Sequence, residues 1–140
     1  MKIITREQKV ARFHTAMKLD LDSSPRSSLL ELRKRLIQEE AEEVVGAICA
    51  LQMELERSKK GTKEQWANLL KELADLQYVL SGTIVSLNTL SSDFDAAFNR
   101  VHISNMSKLN SDGNPVYRAD GKVTKGPNYK APYLGDLVNA

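Results

Sequence analysis

The sequence has one cysteine, four prolines and few aromatic residues, which make up 6% of its 140 positions. The lone Cys49 excludes an internal disulfide and a cysteine zinc cluster, and its place in an apolar run predicts an inert, hydrophobically packed thiol. No apolar run approaches the roughly 18 to 20 residues that a membrane span needs, and the N-terminus lacks the apolar core of a signal peptide. We therefore expect a cytoplasmic protein with no membrane partner.

A large charge of one sign is also missing. The 20 basic and 18 acidic residues leave a formal net charge of +2, too small for the broad basic field on which sequence-independent nucleic-acid binding depends. A nucleic-acid polymer is therefore not an expected partner. Hydrophobic residues at 41% and charged residues at 27% are typical of a folded globular chain, and the length suits one domain.

Proline is absent between Pro25 and Pro115, so this stretch can be helical without a built-in break. Sequences typical of helix N-termini occur at four places, namely Thr5-x-x-Gln8, Ser28-x-x-Glu31, Thr62-x-x-Gln65 and Ser92-x-x-Asp95. Apolar residues spaced three and four apart after each of them predict helices over about 5–18, 28–57, 62 to at least 84, and 92–109. The predicted fold class is all-α, a four-helix bundle.

Turn-forming residues dominate after position 110, where glycine and proline recur at close intervals. Residues 116–118 and 122–124 around Asp120-Gly121 fit a small hairpin. Five basic residues against three acidic ones over 101–140 make this tail the source of the net positive charge. The sequence thus predicts one domain over residues 1–140, with a helical core at about 5–109 and an irregular basic tail at about 110–140.

Acidic residues interrupt the apolar stripe of the second and third predicted helices. Glu40 and Glu43 are three positions apart, as are Glu72 and Asp75, so each pair projects from one helix face. Steps of four and three from Leu36 reach Glu40 and Glu43, which places both carboxylates at core-facing positions, and the third helix repeats the pattern.

Buried acids need an explanation, because an unpaired carboxylate in a protein interior costs several kcal/mol. Oxygen donors alone suit Mg²⁺, with Mn²⁺ as a substitute, whereas Zn²⁺ normally brings His or Cys. A di-iron site would need Glu-x-x-His pairs, and neither His14 nor His102 is so placed. The alternative is a solvated acidic face with salt bridges to Lys34, Arg35 or Lys71.

The order Glu39-Glu40-x-x-Glu43, 28 intervening residues and Glu72-x-x-Asp75 resembles the signature of the all-α nucleoside triphosphate pyrophosphohydrolases, the MazG-like and phosphoribosyl-ATP pyrophosphohydrolase-like enzymes. The resemblance implies a MazG-like helical fold and Mg²⁺-dependent hydrolysis between the α- and β-phosphates of a nucleotide, releasing a monophosphate and pyrophosphate. It assigns Glu40, Glu43, Glu72 and Asp75 as metal ligands. The resemblance also implies that Glu39 is a ligand to a further ion or a group that orients water.

Residues 101–108 and 120–129 also resemble the C-terminal motifs of a bacterial and phage branch of this superfamily. Cations in the tail would neutralise the leaving pyrophosphate. The residues of the tail and of the end of the fourth helix that are predicted to bind or border the substrate are Asn105, Lys108, Lys122, Lys125 and Tyr129, with Arg118 as a further candidate. The alternatives are solvated lysines and, for Tyr129, an apolar anchor of the tail.

Three residues before the tail are candidates for contact with the base, namely Phe13, His14 and Trp66, although Phe13 also fits a helix core. Similarity to a phage branch that hydrolyses dGTP (MazZ-like) favours dGTP or GTP as the substrate and implies the host cytoplasm as location. General dNTP house-cleaning and hydrolysis of dCTP or dUTP are alternatives. A non-catalytic helical interaction module is the alternative of a different class.

Apolar residues exceed what a four-helix monomer covers. Those in apparent surplus are Ile48, Leu51, Leu55, Ile84 and Leu87. A homodimer or a dimer of dimers is therefore expected, and the resemblance agrees, since enzymes of the superfamily draw site residues from more than one subunit.

Overall fold

Four α-helices and no β-strand occur in residues 2–90 and 93–140, the parts of the chain that the computed structural model describes. The helices are α1 (Arg6–Ala16), α2 (Ser27–Ser58), α3 (Lys63–Ser86) and α4 (Phe94–Met106), and a 3-10 turn follows at Gly135–Leu137. The all-α prediction is confirmed. The chain divides into two units, Met1–Asn88 with α1 to α3 and Thr89–Ala140 with α4 and the tail.

Two of the predicted capping boxes are present. At the start of α1, Gln8 N donates to Thr5 Oγ1 at 3.1 Å and Thr5 N donates to Gln8 Oε1 at 2.8 Å. At the start of α3, Thr62 and Gln65 exchange the same pair of bonds at 3.1 and 3.0 Å. Each box satisfies two N–H groups that the helix itself leaves without a partner.

The predicted cap at Ser28 is wrong. Helix α2 begins one residue earlier, with Arg26 as its N-cap and no side-chain bond to the cap. The Arg26 guanidinium donates to both carboxylate oxygens of Asp20, at 3.0 and 2.8 Å, and its Nε donates to Ser28 Oγ at 3.2 Å. The Ser28 hydroxyl therefore serves the arginine side chain rather than the backbone.

Helix α4 begins after Asp93, whose Oδ1 accepts from Ala96 N at 3.2 Å. The predicted cap Ser92 lies outside the described residues. The helix ends at Met106, before the predicted residue 109, because the N–H groups of Lys108 and Leu109 bond three residues back, to the Asn105 and Met106 carbonyls, instead of four.

Helices α2 and α3 pack antiparallel. Near one end of the pair Arg33 Nε donates to Thr83 Oγ1 at 3.1 Å, and at the other end Leu51 lies beside Gly61. A Cβ atom on Gly61 would come within 2.6 Å of Leu51 Cδ2 and 2.8 Å of Trp66 Nε1. Glycine is therefore what lets the chain return this closely from α2 into α3.

Helix α1 packs on α3 through Val10 and His14, which are almost fully buried. Phe13 and Met17 follow Val10 at helical spacing but lie at an exposed edge, so the prediction that Phe13 fits the helix core is wrong. His14 tolerates burial since its Nδ1 has a partner, the Asp20 carbonyl at 2.7 Å.

Buried apolar residues form the core of the first unit. They are Val10, Leu29, Val44, Ala47, Leu51, Val85 and Leu87. The prediction that Leu51 and Leu87 are surplus apolar surface is therefore wrong, since their own chain covers both, whereas Ile48 and Leu55 remain exposed. Cys49 is exposed as well, against the prediction of a packed thiol, because it follows Ile48 on the side of α2 that faces away from the core.

The segment between α1 and α2 pairs with the end of α3. The N–H groups of Asp22 and Ser23 donate to the carbonyls of Val85 and Ser86, each at 2.8 Å, and Asn88 N donates to Ser23 O at 2.9 Å. Because these bonds satisfy the backbone of both segments, they fix the loop that follows His14 against α3.

In the second unit, side chains tie α4 to the tail. Ser104 Oγ donates to the Lys130 carbonyl at 2.7 Å, and Lys130 N donates to Ser107 Oγ at 2.9 Å. Arg100 donates to both oxygens of Asp136, at 2.6 and 2.9 Å. The irregular tail is thus held by specific polar contacts rather than by a sheet.

The predicted hairpin at 116–124 is present as a tight turn with one antiparallel bridge, between Tyr117 and Val123. Arg118 N donates to Lys122 O at 2.8 Å inside it. Gly121 turns the chain at φ 83°, a conformation that glycine adopts without steric cost.

Candidate metal centre

Three carboxylates from two helices converge in the first unit. Glu40, Glu43 and Glu72 each place an oxygen within 4.8 Å of the other two. The three-residue spacing on α2 puts two of these side chains on one face, and the antiparallel pairing with α3 brings the third opposite them. The 28 residues between the two motifs are taken up by the rest of α2, the turn at Gly61 and the first turns of α3.

Two of these acids hold oxygens that nothing in the described chain satisfies. Glu40 Oε2 and Glu72 Oε2 are buried and have no hydrogen-bond partner, and the Glu72 side chain is only 12% exposed. Burying an unsatisfied carboxylate oxygen is costly. A divalent cation bound to these oxygens would remove that cost, and an all-oxygen donor set is the kind that Mg²⁺ and Mn²⁺ prefer.

Glu43 differs from its two neighbours because it is exposed. The prediction that both acids of α2 face the core is therefore right for Glu40 and wrong for Glu43. An open position beside two buried oxygens is what a site needs if substrate is to reach a bound ion from solvent.

Asp75 is not part of this group of three. Lys71 Nζ lies 2.8 Å from Asp75 Oδ2 and 3.4 Å from Glu72 Oε1, and the hydrogen bond to Asp75 raises the pKa of Lys71. The pairing with Lys71 is the one that the solvated-face alternative expects for Asp75. It does not hold through Lys34, whose ammonium group instead lies 2.6 Å from Glu31.

Glu39 is exposed on α2 next to Glu40 and lies outside the group of three carboxylates. Its neighbour Glu42 is exposed too. The role of Glu39 toward a further ion or a water molecule stays a prediction.

The three candidates for base contact have different surroundings. His14 is buried and lines a cleft of about 550 Å³ between α1, α2 and the loop that joins them. The Phe13 ring meets Tyr78 edge-on, with 5.4 Å between centroids. Trp66 is half exposed beside Gly61. Neither Phe13 nor Trp66 is among the residues that line this cleft.

The tail candidates lie in the second unit. Lys125 Nζ sits 4.7 Å above the centre of the Tyr129 ring, a cation–π contact. Lys122 is exposed, and Asn105 is exposed near the end of α4. Lys108 is half-buried, and its carbonyl accepts from Gly126 N at 3.0 Å.

Arg118 is engaged within its own turn, since its guanidinium donates to both carboxylate oxygens of Asp120. This bond lowers the pKa of Asp120. Of the basic tail residues considered for phosphate binding, Arg118 is thus the one with an acidic partner in the described chain.

The sequence reasoning missed Arg33, which is 6% exposed and lines the same cleft as His14. A signal was available, because Leu29, Arg33, Leu36 and Glu40 follow one another at spacings of four and three. An arginine in this stripe is as unexpected as the glutamates that continue it.

A comparison with protein families finds a match over most of the chain. The family model described as phosphoribosyl-ATP pyrophosphohydrolase matches residues 10–105. The match contains all five acids of the two motifs and ends at Asn105, so Lys108, Lys122, Lys125 and Tyr129 lie beyond it. No curated protein matches the sequence. No helix in the described part of the chain is long and apolar enough to cross a membrane.

Proposed function

The chain belongs to the phosphoribosyl-ATP pyrophosphohydrolase family, within the MazG-like all-α nucleoside triphosphate pyrophosphohydrolases, and on this premise we propose its reaction. It cleaves a (deoxy)nucleoside triphosphate between the α- and β-phosphates, giving the monophosphate and pyrophosphate. The observation that carries the proposal is the convergence of Glu40, Glu43 and Glu72, two of them with unsatisfied buried oxygens.

We assign a divalent cation, Mg²⁺ with Mn²⁺ as a substitute, to Glu40, Glu43 and Glu72. When bound, the ion would neutralise negative charge on the triphosphate and polarise its α-phosphorus. Glu40 and Glu72 offer it oxygens that no hydrogen bond competes for. Asp75 is the fourth ligand in this proposal. To bind the ion, its carboxylate must give up the salt bridge to Lys71.

Other side chains of the protein have separate roles in water activation and substrate binding. Glu43 is exposed and meets the substrate side of the site, while Glu39 orients the attacking water. Phosphate binding by Lys108, Lys122 and Lys125, with Asn105 and Tyr129 at the border of the nucleotide, is proposed from the resemblance of the tail motifs. If it is correct, neutral variants of these lysines raise KM for the triphosphate more than they lower kcat.

For the substrate we propose dGTP or GTP, on the resemblance to the phage dGTP-hydrolysing branch. General dNTP house-cleaning and hydrolysis of dCTP or dUTP are the competing outcomes. The proposed location is the cytoplasm.

A homodimer or dimer of dimers is proposed as the assembly. Large apolar side chains exposed on α2 and α3 support it: Ile48, Leu55, Trp66 and Leu70, the last 71% exposed. Their burial against a second copy would stabilise an assembly. Sedimentation of a monomer alone at micromolar concentration would contradict it.

The reaction is tested by incubating the purified protein with Mg²⁺ and each of the eight common NTPs and dNTPs, and resolving the products. We expect a monophosphate and pyrophosphate in equal amounts, with dGTP converted fastest. A diphosphate and inorganic phosphate would show cleavage at the wrong bond, and turnover of no triphosphate would favour the non-catalytic alternative.

A further inference from the structure

Arg33 is a buried cation to which residues 2–90 and 93–140 offer no acidic partner. Its side chain is held by neutral groups, with Nε donating to Thr83 Oγ1 at 3.1 Å and Nη2 to the Val79 carbonyl at 2.8 Å. Burial lowers the pKa of Arg33, although a guanidinium remains charged in a protein. A guanidinium has five N–H donors, so three of them, including both on Nη1, have no hydrogen-bond partner among the described residues.

Arg33 lines the cleft of about 550 Å³ together with His14, a volume within the range of small-molecule sites. Gly82 gives the arginine room, because a Cβ there would lie 2.5 Å from Arg33 Nη2 and 3.1 Å from His14 Nε2. The two nitrogens therefore lie on the same side of Gly82.

His14 adds an acceptor to these donors. Its Nδ1 lies 2.7 Å from the Asp20 carbonyl, and a carbonyl can only accept, so Nδ1 carries the proton. In the neutral ring Nε2 is then an acceptor. The cleft thus offers both a forked donor and a single acceptor from almost fully buried side chains.

The cleft lies along the same helix face as the carboxylates. Arg33 and Glu40 are seven residues apart on α2, which is two turns and about 10 Å along the axis. Across the antiparallel pair, Val79 and Glu72 on α3 have the same separation. This is about the reach of a nucleoside from its 5′-phosphate to the far edge of its base.

We propose that Arg33 and His14 bind the base of the nucleotide whose phosphates lie at the carboxylates, and that they select a 6-oxopurine. This inference rests on the proposed function for the position of the phosphates. Arginine donates to O6 and N7 of guanine, the two adjacent acceptors of that base edge. Adenine keeps the N7 acceptor but presents an amino donor at position 6, which would leave one arm of the buried guanidinium without an acceptor.

The test compares bases that differ at position 6. The probes are the deoxynucleoside triphosphates of guanine, hypoxanthine and 2-aminopurine, of which only the last lacks the oxygen. We expect the wild-type kcat/KM for the two oxopurines to exceed that for 2-aminopurine by roughly 10- to 100-fold. In Arg33→Met the kcat/KM values for the oxopurines and for 2-aminopurine should differ by no more than about twofold. Arg35→Met changes an exposed arginine on the same helix and should keep the wild-type preference.

Binding of the corresponding monophosphates, followed by calorimetry, gives a readout that needs no catalysis. The proposal would be overturned if the wild type bound dGMP and 2-aminopurine deoxynucleoside monophosphate equally well. It would also be overturned if a folded Arg33→Met variant lost affinity for both monophosphates equally. If Arg33→Met does not fold, Arg33→Lys keeps the charge without the fork, and retention of the full preference would overturn it. Absence of all hydrolysis with the binding preference intact would refute the proposed reaction alone.

Discussion

The ammonium group of Lys71 lies 2.8 Å from Asp75 Oδ2, one helical turn further along α3. The same group lies 3.4 Å from Glu72 Oε1. Lys71 therefore neutralises one edge of the acidic cluster, while Glu72 Oε2 remains buried without a partner. A divalent cation that bound both acids would compete with the lysine for them.

The first prediction concerns this competition. Lys71→Gln removes the competing cation, so we expect the Mg²⁺ concentration that half-saturates the protein to fall several-fold, as followed by the rise of the melting temperature with added Mg²⁺. Lys34→Gln breaks a comparable surface pair with Glu31 and serves as the control. Weaker Mg²⁺ binding in Lys71→Gln would mean that the lysine supports the site instead of competing.

Glu72→Gln is expected to raise the stability of the metal-free protein and to lower its activity. The change removes a negative charge beside Glu40 and adds an amide donor, so the metal-free protein should gain about 1 kcal/mol. Turnover should fall at least 100-fold, a rough figure for the loss of a metal ligand.

The matched control for Glu72→Gln is Glu42→Gln, an exposed acid on α2 outside the cluster. Denaturant unfolding and product formation measure both effects. A Glu72→Gln variant with wild-type turnover would remove Glu72 from the site.

Local signals explain what the sequence predicted well. The boxes at Thr5 and Thr62 form because both partners lie within one helical turn of each other. The burial of the Glu40 and Glu72 side chains was also predictable from spacing, since each residue continues an apolar stripe. Such i,i+3 and i,i+4 relationships do not depend on how the chain folds further away.

Side-chain contacts that no spacing rule predicts explain what was missed. Arg33 finds its partners 46 and 50 residues later, at Val79 and Thr83, and no spacing rule announces a carbonyl as a partner. Ser28 looked like a cap because the Asp20–Arg26 pair that redirects it was not visible in the pattern.

Stability should depend on pH through Asp20. Hydrogen bonding by Arg26, and then by Ser23, lowers the pKa of this carboxyl from its ordinary value of 3.8. A lowered folded-state pKa stabilises the protein above pH 3.8, and this contribution is lost as the pH falls through the lower folded-state value.

Asp20→Asn should therefore lower the melting temperature at pH 7, and the difference from wild type should shrink as the pH falls below about 4. Glu56→Gln changes an exposed acid elsewhere on α2 and is the control. A difference that stays constant between pH 7 and pH 3 would show that the lost bonds are not linked to the charge.

The end of the chain should be released by a single change in the second unit. Arg100 donates to both Asp136 oxygens and to the Tyr133 carbonyl at 2.9 Å. Arg100→Met removes all three bonds, so amide hydrogen exchange should accelerate over residues 130–138 and not in α2. Unchanged exchange over 130–138 would show that Ser104 and Ser107 suffice to hold the tail.

The most direct test of the account is a titration of Mn²⁺, with free ion followed by electron paramagnetic resonance, against wild type, Glu72→Gln and Glu42→Gln. The central claim is that Glu40, Glu43 and Glu72 hold a divalent cation. It predicts that wild type and Glu42→Gln bind Mn²⁺ alike, that Mg²⁺ displaces it, and that Glu72→Gln binds at least 10-fold more weakly, a rough expectation for a lost ligand. Equal binding by Glu72→Gln and wild type would contradict it.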